Sequence, residues 1–236
     1  MALAFVEGQS VTNITGVATT PAFTNSFAVG QLVVVAMTYS GSIDSTTSVV
    51  DNATPSNTYK RISDASSAGA GQVLYYSVIT TAKASPTVTV NFNSAATNIG
   101  VVVQYFNGFV DTPYIDRAKR QSNSSSTTVT SGTSPVLNKS VELVVGTGHY
   151  LAGTTTFSLG AGYTNLTQLN DSTNAVAVAM ESLVTSSVDA LAATFTLGAA
   201  NANFGAILTF TDGAFNHFKF INKGLRPHPF SPGLAR

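Results

Sequence analysis

The chain has 236 residues, with 11 basic and 11 acidic side chains and neither cysteine nor tryptophan. Charged residues make up 9% and hydrophobic residues 44%, with a mean hydropathy of +0.22; this excludes disulfide scaffolds and Cys-based metal sites and argues against a disordered chain. Ser (26), Thr (32), Asn (17) and Gly (19) dominate while Lys, Glu, Arg and Gln are scarce, which argues against a helical protein and for strands.

No window holds 18 uninterrupted apolar residues, so no membrane helix and no membrane partner is expected. The start, residues 1–7, lacks the basic region and apolar run of a signal peptide, and none is expected.

Strand signals follow in chain order. Residues 27–39 contain Leu32-Val33-Val34-Val35-Ala36-Met37, a run that suits a strand buried on both faces. Residues 72–80 form a second β-rich run, and 86–92 alternate Val88, Val90 and Phe92 against Thr87, Thr89 and Asn91. Further strands are expected at 99–106, 141–145, 163–169, 176–184, 193–197 and 204–210. Asn107-Gly108 and Asp212-Gly213 are dipeptides able to take positive φ at both positions.

Residues 86–109 and 191–214 align without gaps at an offset of 105, with Asn98/Asn203, Gly100/Gly205 and Gly108/Gly213 identical and Val90/Phe195 and Tyr105/Phe210 matched in class. This suggests two pseudo-repeats, about 20–109 and 131–213. Residues 121–133 join them, and Thr127-Thr128-Val129-Thr130 could itself be a strand. The fold class expected is all-β: a jelly-roll-like or Ig-like antiparallel β-sandwich, either one compact sandwich or two tandem ones.

A series of short motifs runs through this body. It begins with Gly30-Gln31-Leu32-Val33-Val34, Val50-Asp51-Asn52, Asn57-Thr58-Tyr59 and Leu74-Tyr75-Tyr76. It continues through Tyr105-Phe106-Asn107-Gly108, Thr112-Pro113-Tyr114-Ile115-Asp116, Glu142-Leu143-Val144-Val145-Gly146 and Gly162-Tyr163-Thr164. In this order the motifs resemble a β-sandwich module recurrent in tailed-phage virion proteins and bacterial surface proteins, over roughly residues 10–213. The resemblance implies a non-catalytic structural or adhesive module of the capsid decoration or cement type, and it brings no catalytic residues.

Candidate chemistry is sparse. A nucleophile system would have to use His149, since His217 and His228 lie near the C-terminus, and Gly146-Thr147-Gly148-His149-Tyr150 has no nucleophile elbow. His149 therefore reads as a polar residue at a strand end. No pair among the eleven carboxylates is selected for glycosidase chemistry. Asp51, Asn52 and Asn57 are the best candidates for calcium, but turn hydrogen bonding is the favoured reading. The basic cluster Arg117, Lys119 and Arg120 reads as a solvated loop. Tyr59, Tyr75, Tyr76, Tyr105 and Tyr114 could form a sugar-stacking platform, yet Tyr75 and Tyr76 must point to opposite faces of a strand. No cofactor and no metal site is expected.

Residues 214–236 differ in kind. They hold 4 basic and no acidic residues, against 7 basic and 11 acidic in residues 1–213. Pro227, Pro229 and Pro232 prevent a helix or central strand, and an extended arm is expected. The candidate partner-binding residues are Phe215, Phe218, Lys219, Phe220, Lys223, Arg226, Pro227, Pro229, Phe230 and Arg236, aromatic anchors interleaved with cations. Four charges without an ordered basic face make a poor nucleic-acid footprint, so no nucleic acid is expected.

The sequence thus leads to a non-enzymatic phage virion protein that decorates or cements the capsid. Its expected partner is the major capsid protein or another virion protein, and a homo-oligomer is expected. The alternative is a carbohydrate- or receptor-binding module of a tail or fibre.

Overall fold

The computed structural model describes residues 2–41, 48–67, 70–92, 96–150 and 155–213. Its elements are strands: β1 Ala4–Thr15, β2 Val17–Thr19, β3 Leu32–Gly41, β4 Ser48–Asp51, β5 Lys60–Ser67, β6 Ala70–Val78 and β7 Val88–Asn91. They continue as β8 Ala96–Asn107, β9 Tyr114–Thr130, β10 Glu142–Tyr150, β11 Phe157–Ser158, β12 Asn165–Asp171, β13 Val176–Thr185 and β14 Thr194–Thr211.

The strands form three antiparallel sheets. Sheet I has the order β1-β8-β3-β6-β5; sheet II has β11-β14-β10-β13-β12, with β9 also paired to β14; sheet III has β2-β7-β4. Sheet I lies in the middle. Val33, Val35, Met37, Val73, Tyr75, Val101, Val103 and Tyr105 pack from one of its faces against Ala18, Val49, Val88 and Val90 of sheet III. From the other face, Leu32, Val34, Ala36, Leu74, Val102 and Phe106 meet Leu143, Val145, Val178, Met180, Ala206, Leu208 and Phe210 of sheet II. The alternation of side chains explains both layers: β3 and β8 are apolar at odd and even positions alike, so neither face tolerates water. The outer face of sheet II is covered in turn, with Val129, Phe157, Phe195 and Leu197 in one cluster and Val144, Tyr163, Ala193 and Ile207 in another.

The expected all-β sandwich is present, and the run at 32–37 is buried on both faces as read from the sequence. Two local readings change and one left open is decided. The strands expected at 193–197 and 204–210 are one strand, β14, whose pairing with β9 is irregular between Thr196 and Asn203. The join at 121–133, left open between linker and strand, is strand over 121–130, the second half of β9, paired along β14. In Asn107-Gly108 and Asp212-Gly213 only the glycines have positive φ, +91° each. Gly108 turns the chain out of sheet I towards β9 instead of closing a hairpin.

The paths β1-β8-β3-β6-β5 and β9-β14-β10-β13-β12 repeat one order of connections. The ladders also correct the ungapped alignment. Leu32 pairs with Phe106 and Leu143 with Phe210, which makes Phe106 the counterpart of Phe210. Tyr105 instead faces sheet III.

Sheets I and II meet closely. A Cβ on Gly100 would lie 2.4 Å from Val176 Cγ1, so only glycine admits sheet II at this point. Polar groups cross the same boundary: Gln104 Nε2 donates to Thr167 Oγ1 (3.0 Å) and the Met180 carbonyl (3.1 Å), while Gln104 Oε1 and Gln72 Nε2 are buried without a partner among the described residues. Thr147 Oγ1 donates to Gln72 Oε1 at 3.3 Å.

Candidate functional site

The ten partner-binding candidates, Phe215, Phe218, Lys219, Phe220, Lys223, Arg226, Pro227, Pro229, Phe230 and Arg236, lie outside the described residues. Their point of departure is described. Thr211 ends β14 opposite Tyr114. Asp212 Oδ1 then accepts the backbone N–H groups of Val110 (3.0 Å) and Asp111 (3.3 Å). Lys139 Nζ donates to the Asp212 carbonyl. The arm therefore leaves from a fixed corner, where the end of β14, the approach to β9 and the turn before β10 converge.

A polar network around the buried Asp116 side chain supports this corner. Asp116 accepts Asn138 N at 2.9 Å, the Asn138 side-chain amide and Arg117 Nη1 at 3.2 Å. Glu142, fully buried, accepts Lys139 N at 3.0 Å. Burial raises the Glu142 pKa, and the negative charge of Asp116 adds to the effect. These two carboxyls are the pair that sequence spacing could not select; they meet because β9 and β10 both pair with β14. Both serve the turn 138–142.

His149 belongs to the boundary between sheets I and II. It is 3% exposed, 2.9 Å through Nε2 from Thr38 Oγ1, and stacked on Phe204. Burial lowers its pKa to about 3, so the ring is neutral at physiological pH. Its partner is a threonine on the facing sheet, a packing role.

The calcium candidate resolves into a turn. Asp51 Oδ1 accepts Ala53 N (3.1 Å), Ser56 Oγ (3.2 Å) and Asn57 N (3.2 Å). Its Oδ2 accepts Asn57 Nδ2 (2.8 Å) and Tyr59 OH (3.2 Å). Asn57 Oδ1 in turn accepts Thr80 N and Thr81 N, both at 2.8 Å. The donors that surround Asp51 occupy the lone pairs a cation would need.

Glu181 is the third buried carboxyl. It accepts Gly160 N at 2.8 Å and Thr194 N at 3.2 Å, which ties β13 to the starts of two other segments. Burial raises its pKa to about 7 despite these two N–H groups. Among the described residues, no group of three or more His, Cys, Asp or Glu side chains is placed to hold a metal.

The tyrosines do not share a surface. Tyr75 and Tyr105 belong to the core between sheets I and III, and Tyr59 packs against it. Tyr76 faces the other way, 5.7 Å from the Phe210 ring. The basic cluster sits in β9, not in a loop. Arg117 is tied to Asp116, to the Val136 carbonyl (2.8 Å) and to Asn138 (3.0 Å). Lys119 and Arg120 border a cleft of about 330 Å³ floored by Leu74, Ala206 and Leu208. Cations on the outermost strand of a sheet discourage pairing with another chain.

No helix among the described residues is long and apolar enough to cross a membrane. No family model, curated protein or solved structure matches the chain.

Proposed function

We propose that the chain is a non-enzymatic structural protein of a phage virion, a capsid decoration or cement protein anchored by its C-terminal arm. The carrying observation is the division of the chain. A body of 7 basic and 11 acidic residues is followed, from a fixed corner, by an arm with 4 basic and no acidic residues. The arm's four phenylalanines and four cations suit a complementary surface on the major capsid protein or another virion protein. Neighbouring copies come into contact through the symmetry of that surface. Each Phe fully buried there contributes about 1.5–3 kcal/mol before ordering costs.

The character of the body supports this reading. His149, Asp51 and Glu181 are each engaged in packing or turn contacts. Uncharged Ser, Thr and Asn dominate its composition, as suits an exposed, inert layer. The repeated strand order further supports a body of two pseudo-repeats joined through β9.

The test is co-sedimentation with particles that lack the protein. The full chain is expected to pellet with them, and a chain shortened to residues 1–213 to stay in the supernatant. Equal pelleting of the two would overturn the anchor.

A further inference from the structure

We propose that the first part of the arm, residues 215–220, folds back on its own body and fills the cleft beside Pro113. That cleft has a volume of about 360 Å³ and is lined by Val29, Lys60, Tyr76, Ile79, Thr112 and Pro113, among others. Val110 is 80% and Val29 68% exposed, the two highest values among the large hydrophobic residues described. Val29 lines the cleft, and Val110 stands three residues from Pro113. Scattered exposed apolar residues are ordinary, but one lining the cleft and another on the segment that leads into its Thr112-Pro113 wall mark a surface that something covers.

The position of the chain end identifies the occupant. The Asp212 carboxylate holds Val110 and Asp111, the residues that lead into the Thr112-Pro113 wall. A Cβ on Gly213 would stand 3.8 Å from Asp111 Oδ2. At about 3.3–3.6 Å per residue, Phe215 reaches about 7 Å from Gly213 and Phe218 about 17 Å. So short a tether gives the arm a high effective concentration at its own cleft, well above that of any other copy in dilute solution.

The chemistry also fits. Tyr76 at the cleft already packs on Phe210, and a phenylalanine from the arm extends this aromatic contact. Asp111 is exposed, and its carboxylate makes no hydrogen bond or ion pair among the described residues. Lys219, between Phe218 and Phe220, supplies its counter-charge. Docking of 215–220 leaves Lys223, Arg226, Pro227, Pro229, Phe230 and Arg236 for the particle, directed outward from one corner. The inference narrows the anchoring reading: it assigns Phe215, Phe218, Lys219 and Phe220 to the chain's own body and leaves the distal half to hold the particle.

Amide hydrogen exchange tests it in solution without particles. Three chains are compared: the full chain, residues 1–213, and a full chain with Phe215, Phe218 and Phe220 all replaced by Ser. The amides of Val29, Gly30, Val110 and Asp111 are expected to exchange at least about tenfold more slowly in the full chain than in the other two, independently of protein concentration. Equal exchange in all three would overturn the proposal. So would protection that appears only as concentration rises, because the occupant would then be a second copy. Neither outcome affects the co-sedimentation result, so the two readings fail separately.

Discussion

Replacing His149 with Gln tests the buried boundary between sheets I and II through its pH dependence. Glutamine can still bond Thr38 in either sense but does not titrate. In the folded protein burial lowers the His149 pKa to about 3 from the ordinary 6.5. The unfolded chain therefore takes up a proton as pH falls below 6.5, while the folded chain refuses it down to about 3. Folding stability is lost over that window at about 1.4 kcal/mol per pH unit. From pH 6.5 to 4.5 the loss is about 2.3 kcal/mol, because the unfolded histidine is already half protonated at pH 6.5; this is a large part of a typical domain's stability. Urea denaturation of both proteins at pH 6.5, 5.5 and 4.5 measures it. The stability of H149Q minus that of the natural chain is expected to rise by about 2.3 kcal/mol over the range. Taking the difference removes every other titrating group. A gap constant with pH would refute the claim that the imidazole is sealed between the sheets.

Glu181 predicts the opposite slope. Its folded pKa is raised to about 7, so the natural chain loses stability as pH rises from about 4.5 to 7, and E181Q should gain on it by about 1.4 kcal/mol per pH unit there. The two slopes nearly cancel between pH 4.5 and 6.5, so these residues together leave the natural chain almost flat in that range. Gly100→Val should cost about 1–3 kcal/mol, read as a lower urea midpoint, because its Cβ would collide with Val176 across the boundary. Asp51→Asn should cost about 1.5–3 kcal/mol and speed exchange of the Asn57 amide, since charge-assisted bonds at the 51–57 turn are lost.

Much of the fold was legible because buried strands carry their own signal. The runs at 32–37, 73–79 and 99–106 are apolar on successive positions, and they became the three central strands of sheet I. The strands that escaped notice, β1 wholly and β9 in its first half, lie at sheet edges. β1 and β9 leave much of their length partly or fully exposed, and β9 reads as a Ser/Thr tract with three cations. Period-2 alternation disappears where neither face must be apolar. The repeat offset slipped for a related reason. Ala and Asn across 199–203 fit either register, and only the ladder with β10 places Phe210 opposite Leu143.

The polar sites depended on contacts between distant segments. The Asp51 turn could be anticipated because Asp51, Ser56 and Asn57 lie within seven residues of one another. The pairing of His149 with Thr38 spans 111 positions. Asp116 and Glu142 meet only through their shared neighbour β14. Composition did distinguish the body from the arm, since a break in charge and proline content is local information.

Electron microscopy of phage particles assembled with the chain tests the proposed function most directly. The account predicts three-layered β density at symmetry-related positions on the capsid surface, with density for the distal arm running from beside the Gly213 corner into the capsid shell. It also predicts loss of all this density in particles assembled with residues 1–213 alone. Bodies that keep full occupancy without the arm, or particles that lack the protein altogether, would contradict it.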